Sequence, residues 1–173
     1  MDTDIAALCE RVERTSAAAL DNLTKTEAAV RDLEREMGAM PFFVRGFVSS
    51  TVSKGSGQDV PAWVRTVGSL TADIRSAQET AGRTRAAGAL AEGDRSRLPQ
   101  TAEHIRADQP RFERLVGFLE DAPSKLDSVP KGVLPPERRG ELLAILDGQV
   151  RSLRETIAAL PALAEAVQAL AGE

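Results

Sequence analysis

This chain of 173 residues has no tyrosine, one tryptophan, one cysteine and one histidine. The single cysteine, Cys9, cannot form an internal disulfide, and no glutamate stands three residues before His104, so the Glu-x-x-His pattern of di-iron bundles is absent. We expect Cys9 to be a buried structural thiol and His104 to be a surface residue. Because the chain has one histidine, one cysteine and no tyrosine, and because no catalytic or metal-binding motif is found, the sequence predicts a protein that is not an enzyme and has no cofactor.

Long apolar runs and an excess of basic residues are also lacking. No uninterrupted apolar stretch approaches the roughly 20 residues that cross a bilayer. The acidic start, Met1 to Asp4, has neither the basic nor the apolar region of a secretory signal. A formal net charge of -4 gives no overall attraction to nucleic acid or to an anionic membrane. We therefore expect a cytoplasmic protein without a transmembrane segment that does not bind nucleic acid, and peripheral contact with a membrane stays open.

The composition that is present favours helices. Aromatic residues make up only 3% of the chain, whereas alanine, leucine, arginine and glutamate are abundant. These abundant residues lose little side-chain entropy in a helix, and the residues that suit a pleated sheet are scarce. At this length one compact core is sufficient without disulfides or metal. We predict an all-α fold in a single domain that covers residues 1–173.

Two long segments have apolar or small residues at a seven-residue repeat. In the first, from about Thr3 to Met37, the two rows are Ile5, Val12, Ala19, Thr26 and Leu33, and Cys9, Ser16, Leu23, Val30 and Met37. In the last, which begins near Pro136, the two rows are Leu146, Leu153, Leu160 and Val167, and Leu143, Val150, Ile157 and Ala164. Alternating spacings of four and three are typical of a helix that buries one stripe against other helices.

Proline and glycine divide the middle of the chain into shorter predicted helices. A short helix ends at residues 54–57, and Asp59 is the expected N-cap of a third helix, which runs to about residue 91 and is weakened from Gly82 onward. Pro110 is expected to break or kink the next helix, and residues 121–136 are expected to form a loop or crossover. We therefore predict an antiparallel bundle of four main helices plus one or two short ones.

Three of the five phenylalanines, Phe42, Phe43 and Phe47, lie in the short segment Pro41 to Val48. If these rings are exposed, they form a docking surface for a partner helix or a lipid surface. If they are inside, they fill the bundle core, and the general burial of apolar side chains favours this interpretation. Trp63 has the same two interpretations, because its indole N–H needs a hydrogen-bond partner.

The string Pro41-Phe42-Phe43-Val44-Arg45 resembles a short stretch of a small helical domain attached to light-independent protochlorophyllide reductase and related proteins. The resemblance covers this string and its immediate neighbours. The stretch from Ser49 to Gln58 lacks the charged helical continuation of that domain, so the resemblance implies no function for this chain.

For function, we expect a non-catalytic helical interaction protein, such as an adaptor, assembly factor or scaffold. It would contact a protein partner, or a second copy of itself, through Phe42, Phe43, Phe47 and Trp63. The alternative is a small-molecule or lipid binder in which the phenylalanine cluster lines a cavity between helices. A flat exposed patch would favour the first function, and a polar-lined cavity would favour the second.

Overall fold

The structure, a computed structural model, describes residues 4–132 and 134–172. Within these ranges the chain forms six helices and no strand: α1 (Ile5–Ala39), α2 (Phe42–Ser56), α3 (Val60–Ala87), α4 (Glu92–Arg95), α5 (Leu98–Asp127) and α6 (Pro136–Ala171). Helices α1, α3, α5 and α6 are long, and α2 and α4 are short. The prediction of an all-α fold with four main helices and two short ones is confirmed.

The four long helices form a closed bundle in which each helix is antiparallel to its two neighbours. Helix α1 packs against α3 and α6, and α5 packs against the same two helices. The direction follows from the contacts, which join the early part of one helix to the late part of the next: Glu13 with Arg85, Arg11 with Glu165, and Asp127 with Arg139. The predicted antiparallel bundle is therefore confirmed.

Capping residues account for several of the helix ends. The side chains of Asp4 and Asp59 accept hydrogen bonds from first-turn N–H groups at 3.0 and 2.8 Å. Helices α2 and α3 end at Gly57 and Gly88, whose φ angles of 89° and 70° lie in the left-handed region that glycine adopts without strain. The predicted start of the first helix at Thr3 lies outside the described residues.

The core follows the predicted rows of α1 and, in α6, the row that contains Leu153, Leu160 and Val167. The other row predicted for α6 is largely wrong, because only Ala164 of it is fully buried and the positions one residue earlier in the repeat, such as Leu163, are buried instead. The buried residues of α1 are Leu8, Cys9, Val12, Ser16, Ala19, Leu23, Thr26 and Met37. Those of α6 are Leu153, Thr156, Leu160, Leu163, Ala164, Ala166, Val167 and Leu170. Helices α3 and α5 add the large side chains of Trp63, Leu70, Ile74, Ile105 and Phe112. As expected, Cys9 is buried, and burial raises the pKa of its thiol, which disfavours the reactive thiolate.

Three predicted boundaries are wrong. Helix α5 continues through Pro110 without a break, because Pro110 lies on the exposed side of the helix, where water can satisfy the carbonyl that loses its partner. The same helix continues to Asp127, so the loop predicted for residues 121–136 is shorter. Helix α3 passes through Gly82, which faces α1 with the position of a Cβ 3.4 Å from Glu13. It ends at Ala87 and not near residue 91, because Gly88 adopts a left-handed φ of 70°.

Burial is concentrated away from one end of the bundle. Helix α2 lies at this end, together with the last turns of α1 and α5 and the first turns of α6, and we call it the α2 end. The first turn of α3, with the buried Val60 and Trp63, belongs to the core. No described residue between Gly117 and Ser152 is fully buried. The row residues Leu143 and Leu146 are half-buried there, and Ile145 is 56% exposed. The seven-residue repeat of α6 therefore continues to the α2 end, but its residues are less completely buried there than in the core.

Candidate functional site

The exposed face of α2 is the most unusual surface of the molecule. Phe42, Phe43 and Phe47 are 86%, 76% and 74% exposed, and with Ile145 they are the large apolar side chains that the described residues leave exposed. We call the surface formed by these three phenylalanines the Phe face. The interpretation that they fill the bundle core, which apolar burial favoured, is wrong.

The sequence of α2 explains why it presents apolar side chains on two faces. Val44, Val48 and Val52 recur every four residues and are half-buried, and Val52 packs against the core. Phe43 and Phe47 have the same spacing but lie one residue earlier, about 100° around the helix. The valine face docks α2 onto the bundle, so the phenylalanines are directed outward.

The C-terminal half of α2 is fixed by close packing on α5. A Cβ at Gly55 would lie 2.2 Å from Cδ2 of Phe118, so only glycine allows this approach of the two helices. Arg114 donates a hydrogen bond at 3.5 Å to the backbone oxygen of Lys54. Among the described residues of α2, only Ser56 is fully buried. The Phe face therefore stands on the half of α2 that is less firmly held.

Trp63 lies in the core and not on the Phe face. It is 2% exposed, and its Nε1–H donates a hydrogen bond of 2.7 Å to the hydroxyl of Ser56. Its ring meets Phe112 edge-on, with centroids 5.7 Å apart and an angle of 75° between the rings. The indole N–H thus has its partner inside the protein. The predicted partner-binding surface consists of Phe42, Phe43 and Phe47, and their binding role stays a prediction.

The electrostatics of α2 differ from those of the whole chain. Its charged side chains are Arg45 and Lys54, both exposed, and it has no acidic residue, although the chain has a net charge of -4. Neither cation forms an ion pair with any described residue. The Phe face is therefore an apolar surface with positive charge beside it.

Two cavities lie elsewhere. An open groove of about 610 Å³ between α1 and α3 is lined by Glu10, Glu13, Arg14, Ala17, Gln78, Glu79 and Arg85. A second, of about 280 Å³, is lined by Lys131, Leu134, Pro136, Arg139, Gly140 and Leu143. The three phenylalanines line neither cavity, and their exposure places them on the outer surface.

A small polar cluster joins α3 and α5. His104, at the surface as expected, lies with Nδ1 3.3 Å from a carboxylate oxygen of Asp73. One turn further along α5, Asp108 is 7% exposed and accepts a hydrogen bond of 2.8 Å from Arg111. Burial raises the pKa of Asp108, and the bond to Arg111 opposes this shift. In the described ranges no group of three or more His, Cys, Asp or Glu is placed to hold a metal ion.

Comparisons with known proteins find no matching protein-family model, no matching curated protein and no matching solved structure. Within the described residues, no helix combines the length and the apolar character needed to cross a membrane. The geometry and chemistry of the Phe face are therefore the basis for a functional assignment.

Proposed function

We propose that the protein is a non-catalytic helical interaction protein, an adaptor, assembly factor or scaffold, that contacts a protein partner through the Phe face. The observation that supports this proposal is the exposure of 74–86% at three phenylalanines on one helix. Burial of one phenylalanine stabilises a protein or complex by about 1.5–3 kcal/mol. The fold gains little of this from Phe42, Phe43 and Phe47, so a partner can gain it instead.

The form of the surface supports docking over a cavity for a small ligand. Small-molecule sites are concave and enclose most of their ligand, whereas these rings project from the surface. Clustered exposed aromatic side chains are typical of the anchors that dominate protein interfaces. The proposal includes a cytoplasmic location, with which a single buried free thiol at Cys9 is compatible.

Photo-crosslinking tests this function directly. A photoreactive phenylalanine analogue at Phe43 is compared, in the cell of origin, with the same analogue at Ala158, an exposed position on α6. We expect discrete covalent adducts with protein at position 43 and not at position 158. Equal labelling at the two positions, or no adduct at position 43, would contradict the proposal.

A second measurement checks that the apolar surface is the one assigned. At a concentration where light scattering shows a monomer, the variant Phe42→Ser/Phe43→Ser is compared with wild type for helicity and for binding of a fluorescent dye that recognises exposed apolar surface. We expect unchanged helicity and a large loss of dye binding. A variant that unfolds, or one that binds dye as wild type does, would show that these rings are not an exposed surface.

A further inference from the structure

We propose that the partner on the Phe face is a second copy of this chain, so that two molecules form a two-fold symmetric dimer through their α2 ends. This inference rests on the proposed function and names its partner. Three features support it: the distribution of apolar surface, the distribution of unpaired charge, and the poor fit of the chain's net charge to an anionic membrane.

The apolar surface is confined to one end and continues into the core. Phe42, Phe43, Phe47 and Ile145 all lie at the α2 end. A phenylalanine can bury about 150–250 Å², so the Phe face supplies roughly half of the ~800 Å² that each partner buries in a stable interface. The half-buried row residues of α6, Leu143 and Leu146, are the natural source of the remainder. A second copy packed on this end would bury the exposed parts of these α6 side chains.

The charges at the α2 end are self-complementary. Arg45 and Lys54 of α2 are exposed and form no ion pair with the described residues. Glu34 and Glu36, in the last turns of α1 next to α2 in sequence, are also exposed and form no ion pair with the described residues, although Glu36 lies near Arg138 of α6. In a two-fold dimer each copy gives the other the same surface, so a contact between α2 of one and α1 of the other occurs twice. Each copy therefore supplies the anions that the other copy's cations lack.

Charge also argues against two other arrangements. Direct pairing of α2 with its copy would bring four cations together without an anion, which is unfavourable. Docking on an anionic membrane is opposed by the net charge of -4 of the chain. A contact between α2 of one copy and α1 of the other pairs the cations of α2 with the anions of α1.

A charge-exchange experiment tests this arrangement. One variant, Arg45→Glu/Lys54→Glu, makes α2 acidic, and the other, Glu34→Lys/Glu36→Lys, makes the end of α1 basic. We expect wild type to dimerise with rising concentration in light scattering, and each variant alone to do so at least about tenfold more weakly, since four exposed ion pairs are replaced by like charges. An equimolar mixture of the two variants should dimerise as wild type does, because both contacts then join opposite charges.

Several results would overturn the proposed dimer, and they separate its failure from a failure of the proposed function. A wild type that stays monomeric at all concentrations, but loses dye binding in Phe42→Ser/Phe43→Ser, would exclude the dimer and retain an exposed surface for another protein. Dimers that persist in both charge variants would exclude this interface. Sedimentation of the monomer with phosphatidylserine vesicles, abolished by the same phenylalanine substitutions, would assign the Phe face to lipid. If dye binding by the monomer does not depend on these rings, both proposals fail.

Discussion

Phe112 and Phe43 place the same side chain in opposite environments within one bundle. Phe112 is fully buried and meets Trp63 edge-on, whereas Phe43 is 76% exposed on a helix that is docked by its other face. The difference shows that phenylalanine contributes very unequally to this fold. Buried side chains such as Phe112 hold the four long helices together, whereas the three phenylalanines of α2 contribute little to folding.

The largest expected effect distinguishes these two phenylalanines. Phe112→Ala should lower the free energy of unfolding by about 3–5 kcal/mol, because it leaves a cavity among buried side chains. Phe43→Ala should change it by less than about 0.5 kcal/mol. Urea unfolding of the monomer, followed by circular dichroism, measures both. Equal losses of stability would remove the distinction between the two ends.

A second pair of variants tests the gradient along α6. Leu160 is fully buried and Leu146, two heptads earlier in the same row, is half-buried. We expect Leu160→Ala to cost about 2–5 kcal/mol and Leu146→Ala about half of that or less. The same unfolding assay checks this, and a larger loss at Leu146 would mean that the α2 end is as well packed as the core.

The connection between α2 and the core is tested at Ser56. Ser56→Ala removes the acceptor of the Trp63 indole N–H and leaves that buried donor unpaired, which should cost about 1–3 kcal/mol. Ser50→Ala, at an exposed position on the same helix, serves as the control and should be nearly neutral. If both variants have wild-type stability, the hydrogen bond does not anchor α2.

The smallest effect is expected at a buried carboxyl, and it depends on pH. Because burial raises the folded-state pKa of Asp108, the folded protein holds this proton more tightly than the unfolded chain, and stability falls as pH rises from the ordinary value of 3.8 through the raised one. Asp108→Asn should therefore be stabilised relative to wild type above this window, with the gain disappearing below it. The exposed Asp121→Asn is the control. A gain that is independent of pH would contradict this cause.

The sequence was sufficient to predict the bundle because its repeats are long. The rows through Val12 and Leu23 in α1, and through Leu153 and Leu160 in α6, recur over several turns, so their buried stripes are unambiguous. The break at Pro110 was wrong because the pattern of residue types does not show that this position faces water. The loop boundary at residues 121–136 was wrong for a related reason, since Pro123 is also accommodated inside α5.

The candidate site was harder to predict. Helix α2 has only 15 residues, and valines and phenylalanines give it apolar character on two faces, so periodicity could not tell which face is buried. The residue that decides how α2 docks on α5 is Gly55, because its missing side chain lets α2 approach Phe118. In a sequence, however, a glycine near a helix end is equally typical of a loop. Trp63 was ambiguous because the acceptor of its indole N–H, Ser56, lies on the preceding helix.

The most direct test of the exposed Phe face uses fluorine NMR on protein labelled with fluorophenylalanine, at a concentration where light scattering shows a monomer. Each of the five phenylalanine signals is assigned by substitution, and a soluble paramagnetic probe is added. The structure predicts strong broadening of the signals from Phe42, Phe43 and Phe47, and none at Phe112. Protection of the three α2 signals to the same degree as Phe112 would contradict the account.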